Sequence, residues 1–341
     1  MDWNFKISTG LKNLIGRELI TNEFIAIFEL VKNSYDAGAK KVIIKFENIY
    51  AENSRILISD DGHGMNSTDI QEKWLFVAYS EKTEGKRAGT YRDNFSERVY
   101  AGAKGVGRFS CDRLGEKLKL FSQKKGESTV NYIDINWSQF EIDSKEEFIH
   151  VPVKHGTCLK LPSGFSYGTT IEISNLRSNW DREALLELKK SLSKMVNPDA
   201  ELSKDDQFNI YIECEEELEN DEIERKRLEQ LEEKIAASGQ KIVNGIITNY
   251  VFETLNIKTT QIIVEISEDG ETITSAMYDR GIFLFELEQK NPFVTLTNVK
   301  IRLFQLNRSA KINFRKIMGI PPVQYGSIFI YKNGFRIMPY G

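Results

Sequence analysis

The 341-residue sequence is poor in the residues that build disulfide frameworks and zinc sites, with three cysteines and three histidines. The cysteines are Cys111, Cys158 and Cys214, and the histidines are His63, His150 and His155. The cysteines stand too far apart for a Cys-x-x-Cys motif, and the histidines do not combine with them at zinc-ligand spacing. We therefore expect reduced thiols and no structural zinc.

Long apolar runs are also missing, because no stretch approaches the roughly 18 to 20 residues that span a bilayer. The first residues lack the basic and then apolar pattern of a signal peptide, so we expect a cytoplasmic protein. Acidic residues are absent after Glu288, where nine lysines and arginines follow, whereas eleven acidic residues lie between Glu213 and Glu233. A solvated helix face explains the acidic run, and the basic end either neutralises it or faces a phosphate.

The length and the order of the predicted elements indicate two domains. Apolar residues recur at helical spacing from Glu23 to Tyr35, and two short strands follow, the second of them over 55–59. We predict a first domain over residues 1–176 and a second over 177–341, which opens with a linker helix and the acidic helix. Because the chain ends directly after a predicted strand, we expect further sequence beyond Gly341.

Three polar motifs interrupt the first domain. Glu29, Asn33 and Asp36 share one face of the first helix at i, i+4 and i+7, a spacing that a solvated helix surface also produces. Asp60-Asp61-Gly62-His63-Gly64-Met65 follows an apolar strand directly and precedes a capped helix, which argues against a simple hairpin turn. Its glycines allow close ligand approach to a carboxylate at the strand end.

The third motif is the glycine-rich turn Gly102-Ala103-Lys104-Gly105-Val106-Gly107, which enters a helix. Free N–H groups and the positive end of the helix dipole suit phosphate oxygens. The motif is neither a Walker loop nor a dinucleotide fingerprint, because Gly-Lys-Ser/Thr and the required preceding strand are both missing.

Taken in this order, the three motifs and a later Gly168-Thr169-Thr170 resemble the GHKL superfamily, which joins gyrase B, the heat-shock-ninety chaperones, histidine kinases and MutL. The resemblance covers roughly residues 7–176. The segment 331–336 looks like the end of the transducer domain in the MutL-like and MORC-like branches. The resemblance implies an α+β fold: a Bergerat-type sandwich with a mixed, mainly antiparallel sheet covered by helices, followed by a smaller transducer-like domain.

The resemblance also implies a site for ATP and Mg²⁺. Glu29 would be the general base for water, Asn33 would ligate magnesium, and Asp36 would support that polar face. Asp60 would accept a hydrogen bond from the adenine amino group with help from Thr169, with Gly62 and Gly64 beside it and Met65 packed on the base. Lys104 and the amides of Gly102 to Gly107 would hold the phosphates, beneath a lid formed by residues 80–101.

Three functions stay open. Histidine kinases commonly carry Asn or His where this chain has Glu29, so Glu29 favours an ATPase that hydrolyses ATP to ADP and phosphate. A kinase acting on a separate acceptor protein is the second reading. The third is a slow nucleotide-gated clamp that forms a homodimer on ATP binding and in which Lys311 from a polar loop, with Arg308 and Arg315 as rivals, reaches the γ-phosphate. A protein or nucleic-acid partner fits each reading.

Overall fold

We describe the chain from a computed structural model. The structure describes residues 8–10, 18, 20, 22–76, 109–142, 151–194, 196, 208–230, 241–249, 255, 259–293, 295–318, 330–332 and 335–336. The chain divides into two compact units, the first over residues 1–233, 240–248 and 332–335 and the second over 234–239, 249–331 and 336–341. Each unit is described by itself.

The first unit is built on a mixed eight-stranded sheet in the order β5-β4-β3-β6-β2-β1-β7-β8. Its strands are β1 (Lys41–Glu47), β2 (Arg55–Asp60), β3 (Gly115–Gln123), β4 (Val130–Asn136), β5 (Lys154–Cys158), β6 (Gly168–Leu176), β7 (Asn209–Cys214) and β8 (Gly245–Ile246). Strands β1 and β7 pair in parallel, and the other described pairs of this sheet are antiparallel. This confirms the predicted α+β fold with a mixed, mainly antiparallel sheet.

The helices of the first unit are α1 (Glu23–Asp36), α2 (Ser67–Asp69, continued by a π-helical segment Ile70–Trp74), α3 (Ser110–Leu114), α4 (Arg182–Ser193) and α5 (Leu218–Gln230). Helix α1 begins where the Asn22 side chain accepts a hydrogen bond from the Ile25 amide at 2.9 Å. It ends before Gly38, whose φ of 73° suits a residue without a Cβ. The prediction of this helix is confirmed.

The core of the first unit lies between the sheet and its helices. Strand β1 alternates buried and half-buried residues, as expected for a strand with one face on the core. Helix α1 contributes Ile27 and Val31, both fully buried, and packs against α3 and α4. The ring of Trp180 lies 5.0 Å from that of Phe46 and 6.0 Å from that of Phe24, joining the start of α1 to β1. These contacts fix α1 over the sheet.

The first unit extends beyond the boundary that we predicted at residue 176. Strand β7 pairs in parallel with β1, with Val42 opposite Ile210, and so belongs to the sheet. Helix α4 buries Leu185, Leu188 and Leu192 in the same core, so it is a layer of this unit and not a linker. Residues 177–233 therefore lie in the first unit.

The second unit contains an antiparallel four-stranded sheet in the order β11-β10-β9-β12. Its strands are β9 (Thr260–Ile266), β10 (Thr272–Asp279), β11 (Ile282–Lys290) and β12 (Val299–Gln305), followed by helix α6 (Arg308–Met318). A two-stranded pair, β13 (Tyr331–Lys332) and β14 (Phe335–Arg336), closes the described chain. Residues 333–334 between them lie outside the described residues.

One prediction about the second unit was wrong, and one of its strands was not predicted. Lys311 does not lie in a polar loop but in helix α6, because Asn307 caps that helix by accepting the Ala310 amide at 2.8 Å, and Ala310 and Phe314 are buried one turn apart. Strand β11 was not predicted at all. No helix among the described residues combines the length and the apolarity needed to cross a bilayer.

Candidate functional site

The centre of the candidate site is Asp60, the last residue of β2. β2 is an interior strand between β6 and β1, and five of its six residues are buried. The Asp60 side chain is buried as well, and its Oδ2 accepts a hydrogen bond from the Ser34 hydroxyl of α1 at 2.9 Å. Its Oδ1 accepts one from the Gly62 amide at 3.0 Å, and the Thr169 amide on β6 adds a third donor.

Burial changes the acidity of Asp60. Removal of water disfavours the charged carboxylate and raises its pKa to about 6. The donors at Gly62, Ser34 and Thr169 oppose this rise, whereas the neighbouring Asp61 adds to it. At neutral pH the group is therefore an ionised, poorly solvated acceptor.

The loop after Asp60 is docked on the end of α1. The amides of Lys40 and Lys41 both donate to Asp61 Oδ1 at 2.8 Å, and the His63 amide donates to the Ala37 carbonyl at 2.9 Å. A Cβ added at Gly62 would lie 2.7 Å from that same carbonyl oxygen. The predicted glycine is therefore needed for close approach of two backbone segments.

The far end of this loop is attached to β3 and β6 by Ser122. The Ser122 hydroxyl is completely buried and accepts a hydrogen bond from the Met65 amide at 2.8 Å. It also lies 3.1 Å from the Gly168 carbonyl oxygen and 2.9 Å from Thr169 Oγ1. Because Thr169 is directly opposite Asp60 in the β2–β6 register, Ser122 joins both sides of the site.

The predicted residues of α1 differ in their surroundings. Glu29 is 33% exposed and forms an ion pair with Lys32 at 2.9 Å, and Asn33 is exposed. Asp36 is buried at 8% exposure. Glu29 and Asn33 thus present a carboxylate and an amide to solvent, while the link from this helix to Asp60 is made by Ser34.

Two groups of predicted site residues are not among the described residues of the first unit. The motif Gly102 to Gly107, with Ala103, Lys104, Gly105 and Val106, lies outside the described residues, as does the predicted lid over 80–101. Lys311, with Arg308 and Arg315, belongs to helix α6 of the second unit.

Asn33 is the residue that we predicted as the magnesium ligand. Mg²⁺ in nucleotide sites keeps several waters and takes most of its other ligands from phosphates, so it needs few protein ligands. The amide oxygen of Asn33 on exposed α1 surface meets that requirement. Groups of three or more histidine, cysteine, aspartate or glutamate side chains placed to hold a metal do not occur in the described parts of the chain.

Sequence reasoning did not identify Ser34 or Ser122. Ser34 directly follows Asn33 on α1, and this position is only a weak indication that it belongs to the site. Ser122 is a buried residue of β3. Lysines and apolar residues surround it in the sequence, and it belongs to no motif that would indicate a functional role. Only the register of β3 with β6, which places Ser122 opposite Thr169, reveals its role.

Comparisons with known proteins agree with this geometry. Residues 20–160 match the family described as histidine kinase-, DNA gyrase B- and HSP90-like ATPase. The chaperone protein HtpG of Rickettsia prowazekii is 28% identical over 156 residues, which are 40% of this chain and 24% of HtpG. The DNA mismatch repair protein MutL of Pseudothermotoga lettingae is 27% identical over 134 residues, which are 38% of this chain and 23% of MutL. The chain thus spans about a quarter of the length of these relatives.

The matched region agrees with the superfamily resemblance that the motifs had indicated. A second MutL, from Leptospira biflexa, is 43% identical over 65 residues, or 19% of this chain and 10% of that protein. The match supports ATP binding by the first unit.

Proposed function

We propose that this protein binds ATP with Mg²⁺, hydrolyses it to ADP and phosphate, and uses the nucleotide state to control its association with a second copy or a partner. The observation that carries the proposal is the buried Asp60 carboxylate. An ionised carboxylate can accept about four hydrogen bonds, and Ser34, Gly62 and Thr169 account for three at Asp60. The remaining acceptor position suits the exocyclic amino group of adenine.

Glu29 is the proposed general base. Its side chain is on the exposed part of α1, where a carboxylate can take a proton from the attacking water. The neighbouring Lys32 forms an ion pair with this carboxylate at 2.9 Å. A helix holds such a group more rigidly than a loop does.

Asn33 would hold the magnesium ion, and the turn from Gly102 to Gly107 with Lys104 would bind the phosphates. When bound, Mg²⁺ neutralises charge on the phosphate oxygens, which is the main electrostatic requirement of phosphoryl transfer. Met65 would pack against the base, with its amide fixed by Ser122 at 2.8 Å. Asp36, which is buried, would support the helix from within and not contact the nucleotide.

The gating part of the proposal rests on the second unit and on the relatives. The segment 80–101 would close over bound ATP, and hydrolysis would reopen it. A basic residue of α6, Lys311 first among them, would approach the γ-phosphate. The names of the relatives describe a chaperone and a mismatch repair protein, and a nucleotide-gated clamp is compatible with either kind of partner.

Steady-state phosphate release tests the proposed hydrolysis. Wild-type protein should release phosphate from ATP only with a divalent cation present, and Glu29→Ala should lose turnover at least about 100-fold while it still binds ATP in a titration. Glu23→Gln on the same helix is the matched control, because Glu23 bonds to Arg113 and Ser178 and has no proposed contact with ATP. Undiminished turnover in Glu29→Ala would refute the assignment of Glu29 as the general base. A stable phosphoryl label on an added acceptor protein, without release of phosphate, would instead favour a kinase.

A further inference from the structure

Ser122 stands between the Asp60 loop and Thr169 and has three neighbours that can form hydrogen bonds. The Met65 amide is 2.8 Å away, the Gly168 carbonyl oxygen 3.1 Å and Thr169 Oγ1 2.9 Å. The residue has no solvent exposure, so water cannot replace any of these partners. The arrangement of protons in this cluster is therefore set by the protein.

The chemistry of the first two neighbours decides the direction of the third hydrogen bond. A hydroxyl has one proton and two lone pairs, an amide N–H only donates, and a carbonyl oxygen only accepts. The Met65 amide takes one lone pair of Ser122, and the Gly168 carbonyl takes its proton. The remaining lone pair faces Thr169, so the Thr169 hydroxyl donates to Ser122.

This direction leaves Thr169 Oγ1 with lone pairs, and not a proton, for a ligand. Thr169 pairs with Asp60 across the β2–β6 ladder, so two acceptors stand side by side at this end of the site. An exocyclic amino group carries two N–H donors and complements two acceptors, whereas a 6-oxo group has no donor. A site that leaves polar groups unpaired with the wrong ligand discriminates more strongly than an apolar pocket does.

We propose that Ser122 is a positioning residue that selects a 6-aminopurine over a 6-oxopurine by holding the Thr169 hydroxyl as an acceptor. This inference rests on the proposed function, because it takes the nucleotide base to bind beside Asp60. It adds a determinant of base specificity on β3, a strand that carries none of the sequence motifs.

The test compares ATP with inosine triphosphate, which has a 6-oxo group, in calorimetric titrations of the full chain. In Ser122→Ala, the Thr169 proton is free to turn toward the ligand and donate to the 6-oxo oxygen. The ratio of the two dissociation constants should therefore fall about tenfold, the effect of one hydrogen bond. Ser122→Thr keeps a hydroxyl and should preserve the wild-type ratio.

Two further variants separate specificity from folding. Ser59→Ala is the matched control, because it removes a buried hydroxyl from the Ser59–Thr170 pair, 3.1 Å apart at the adjacent rung of the same ladder. Since neighbouring rungs face opposite sides of the sheet, it should leave the ratio unchanged. Ser122→Cys fills similar volume with a weak hydrogen-bonding group, so it serves the same test where the alanine variant does not fold.

The change in the ratio of the two dissociation constants distinguishes a specificity role of Ser122 from a purely structural one. An equal loss of affinity for both nucleotides in Ser122→Ala, or no change in either, would overturn the inference, because a purely structural hydroxyl cannot change the ratio. In a Thr169→Val background, Ser122→Ala should cause no further change in the ratio of the two dissociation constants, because Ser122 acts through the Thr169 hydroxyl. An additional tenfold fall would contradict the inference. If the wild-type protein bound neither nucleotide, the proposed function itself would fail.

Discussion

Asp60 makes the affinity for nucleotide depend on pH. Its burial raises the pKa of the free carboxyl to about 6, and the adenine amino group requires the ionised form as an acceptor. Below pH 6 the proton must leave before the nucleotide binds. We expect the dissociation constant for ATP to be constant above about pH 7 and to rise up to tenfold per pH unit below 6.

Titration calorimetry between pH 5 and 8 measures this dependence. Asp60→Asn cannot ionise, so its affinity should be weaker and independent of pH over the range. The amide also places an N–H donor near the Ser34 hydroxyl or the Gly62 amide, which are donors themselves. A wild-type affinity that stays flat from pH 8 to 5 would remove Asp60 from the base contact.

At the scale of residues, the sequence identified the parts of the site that carry motifs. Asp60 follows a strand and precedes glycines, so its place at a strand end could be predicted. Ser34 and Ser122 could not, because a serine gains its role here from partners 26 and 57 residues away. Local pattern contains no information on such pairings until strand register is known.

Among the elements, the loop from Asp60 to Met65 depends on glycines that allow two backbones to touch. A Cβ added at Gly64 would lie 1.9 Å from the Gln123 carbonyl oxygen, and its φ is 64°. Gly126 has a similarly positive φ of 88° with no atom within 4 Å. We expect Gly64→Ala to lower the free energy of unfolding by at least ~3 kcal/mol and Gly126→Ala by about 1 kcal/mol, the backbone strain alone.

Denaturant unfolding followed by circular dichroism gives both values under the same conditions. The pair isolates the effect of the close contact, because the strain at positive φ is common to both variants. Equal losses of stability would mean that the loop does not approach β3 as closely as described.

Helix α4 is joined to the start of α5 by a buried ion-pair cluster. Arg182 Nη1 lies 2.6 Å from Glu217 Oε2 and 2.9 Å from Asp221 Oδ1, and neither carboxylate side chain is exposed. Burial raises the pKa of both carboxyls, but hydrogen bonds outweigh it and hold both pKa values below their ordinary range. The donors to Glu217 are Tyr50, Arg182 and Asn220, and the donors to Asp221 are the Asn244 and Val243 amides, the Asn244 side chain and Arg182. Arg182→Ala would remove the guanidinium that pairs with both buried carboxylates, so we expect a loss of about 3 to 5 kcal/mol in stability.

A surface arginine of the neighbouring helix provides the control. Arg225 is 48% exposed and lies 3.5 Å from Glu222, so Arg225→Ala should change stability by no more than about 0.5 kcal/mol. Thermal unfolding distinguishes the two variants. Comparable midpoints for Arg182→Ala and wild type would show that the cluster does not hold α4.

The elements that the sequence failed to predict have physical explanations. All nine residues of β11 are exposed, so this strand lacks the alternation of buried and exposed positions that marks a strand with one face on a core. In α6 two features of the sequence indicate a helix: the capping residue Asn307, and the apolar residues Ala310 and Phe314 one turn apart. They cover too short a stretch to establish a helical period. The parallel pairing of β7 with β1 joins residues far apart in the chain, which local patterns cannot indicate.

For the molecule as a whole, the proposed function couples nucleotide binding to association. We expect the protein to be monomeric without nucleotide and to form a dimer with a non-hydrolysable ATP analogue and Mg²⁺, because the analogue holds the closed state. Sedimentation velocity measures the change in mass. Asp60→Asn, with weakened binding, should dimerise only at higher analogue concentration, whereas a mass unaffected by the analogue would exclude nucleotide-driven dimerisation.

The resemblance to the superfamily and the fold of the first unit could be predicted because the motifs occur in order over a continuous segment. The extent of that unit could not, since the sheet recruits β7 from beyond residue 200.

The most direct test of ATP hydrolysis is to measure binding and single-turnover phosphate release on the same preparation of Glu29→Gln. This variant keeps the shape of Glu29 but cannot accept the proton of the attacking water. We expect ATP affinity within about twofold of wild type and phosphate release slowed at least about 100-fold. Phosphate release at the wild-type rate, with intact ATP binding, would contradict the claim that Glu29 makes this protein an ATPase.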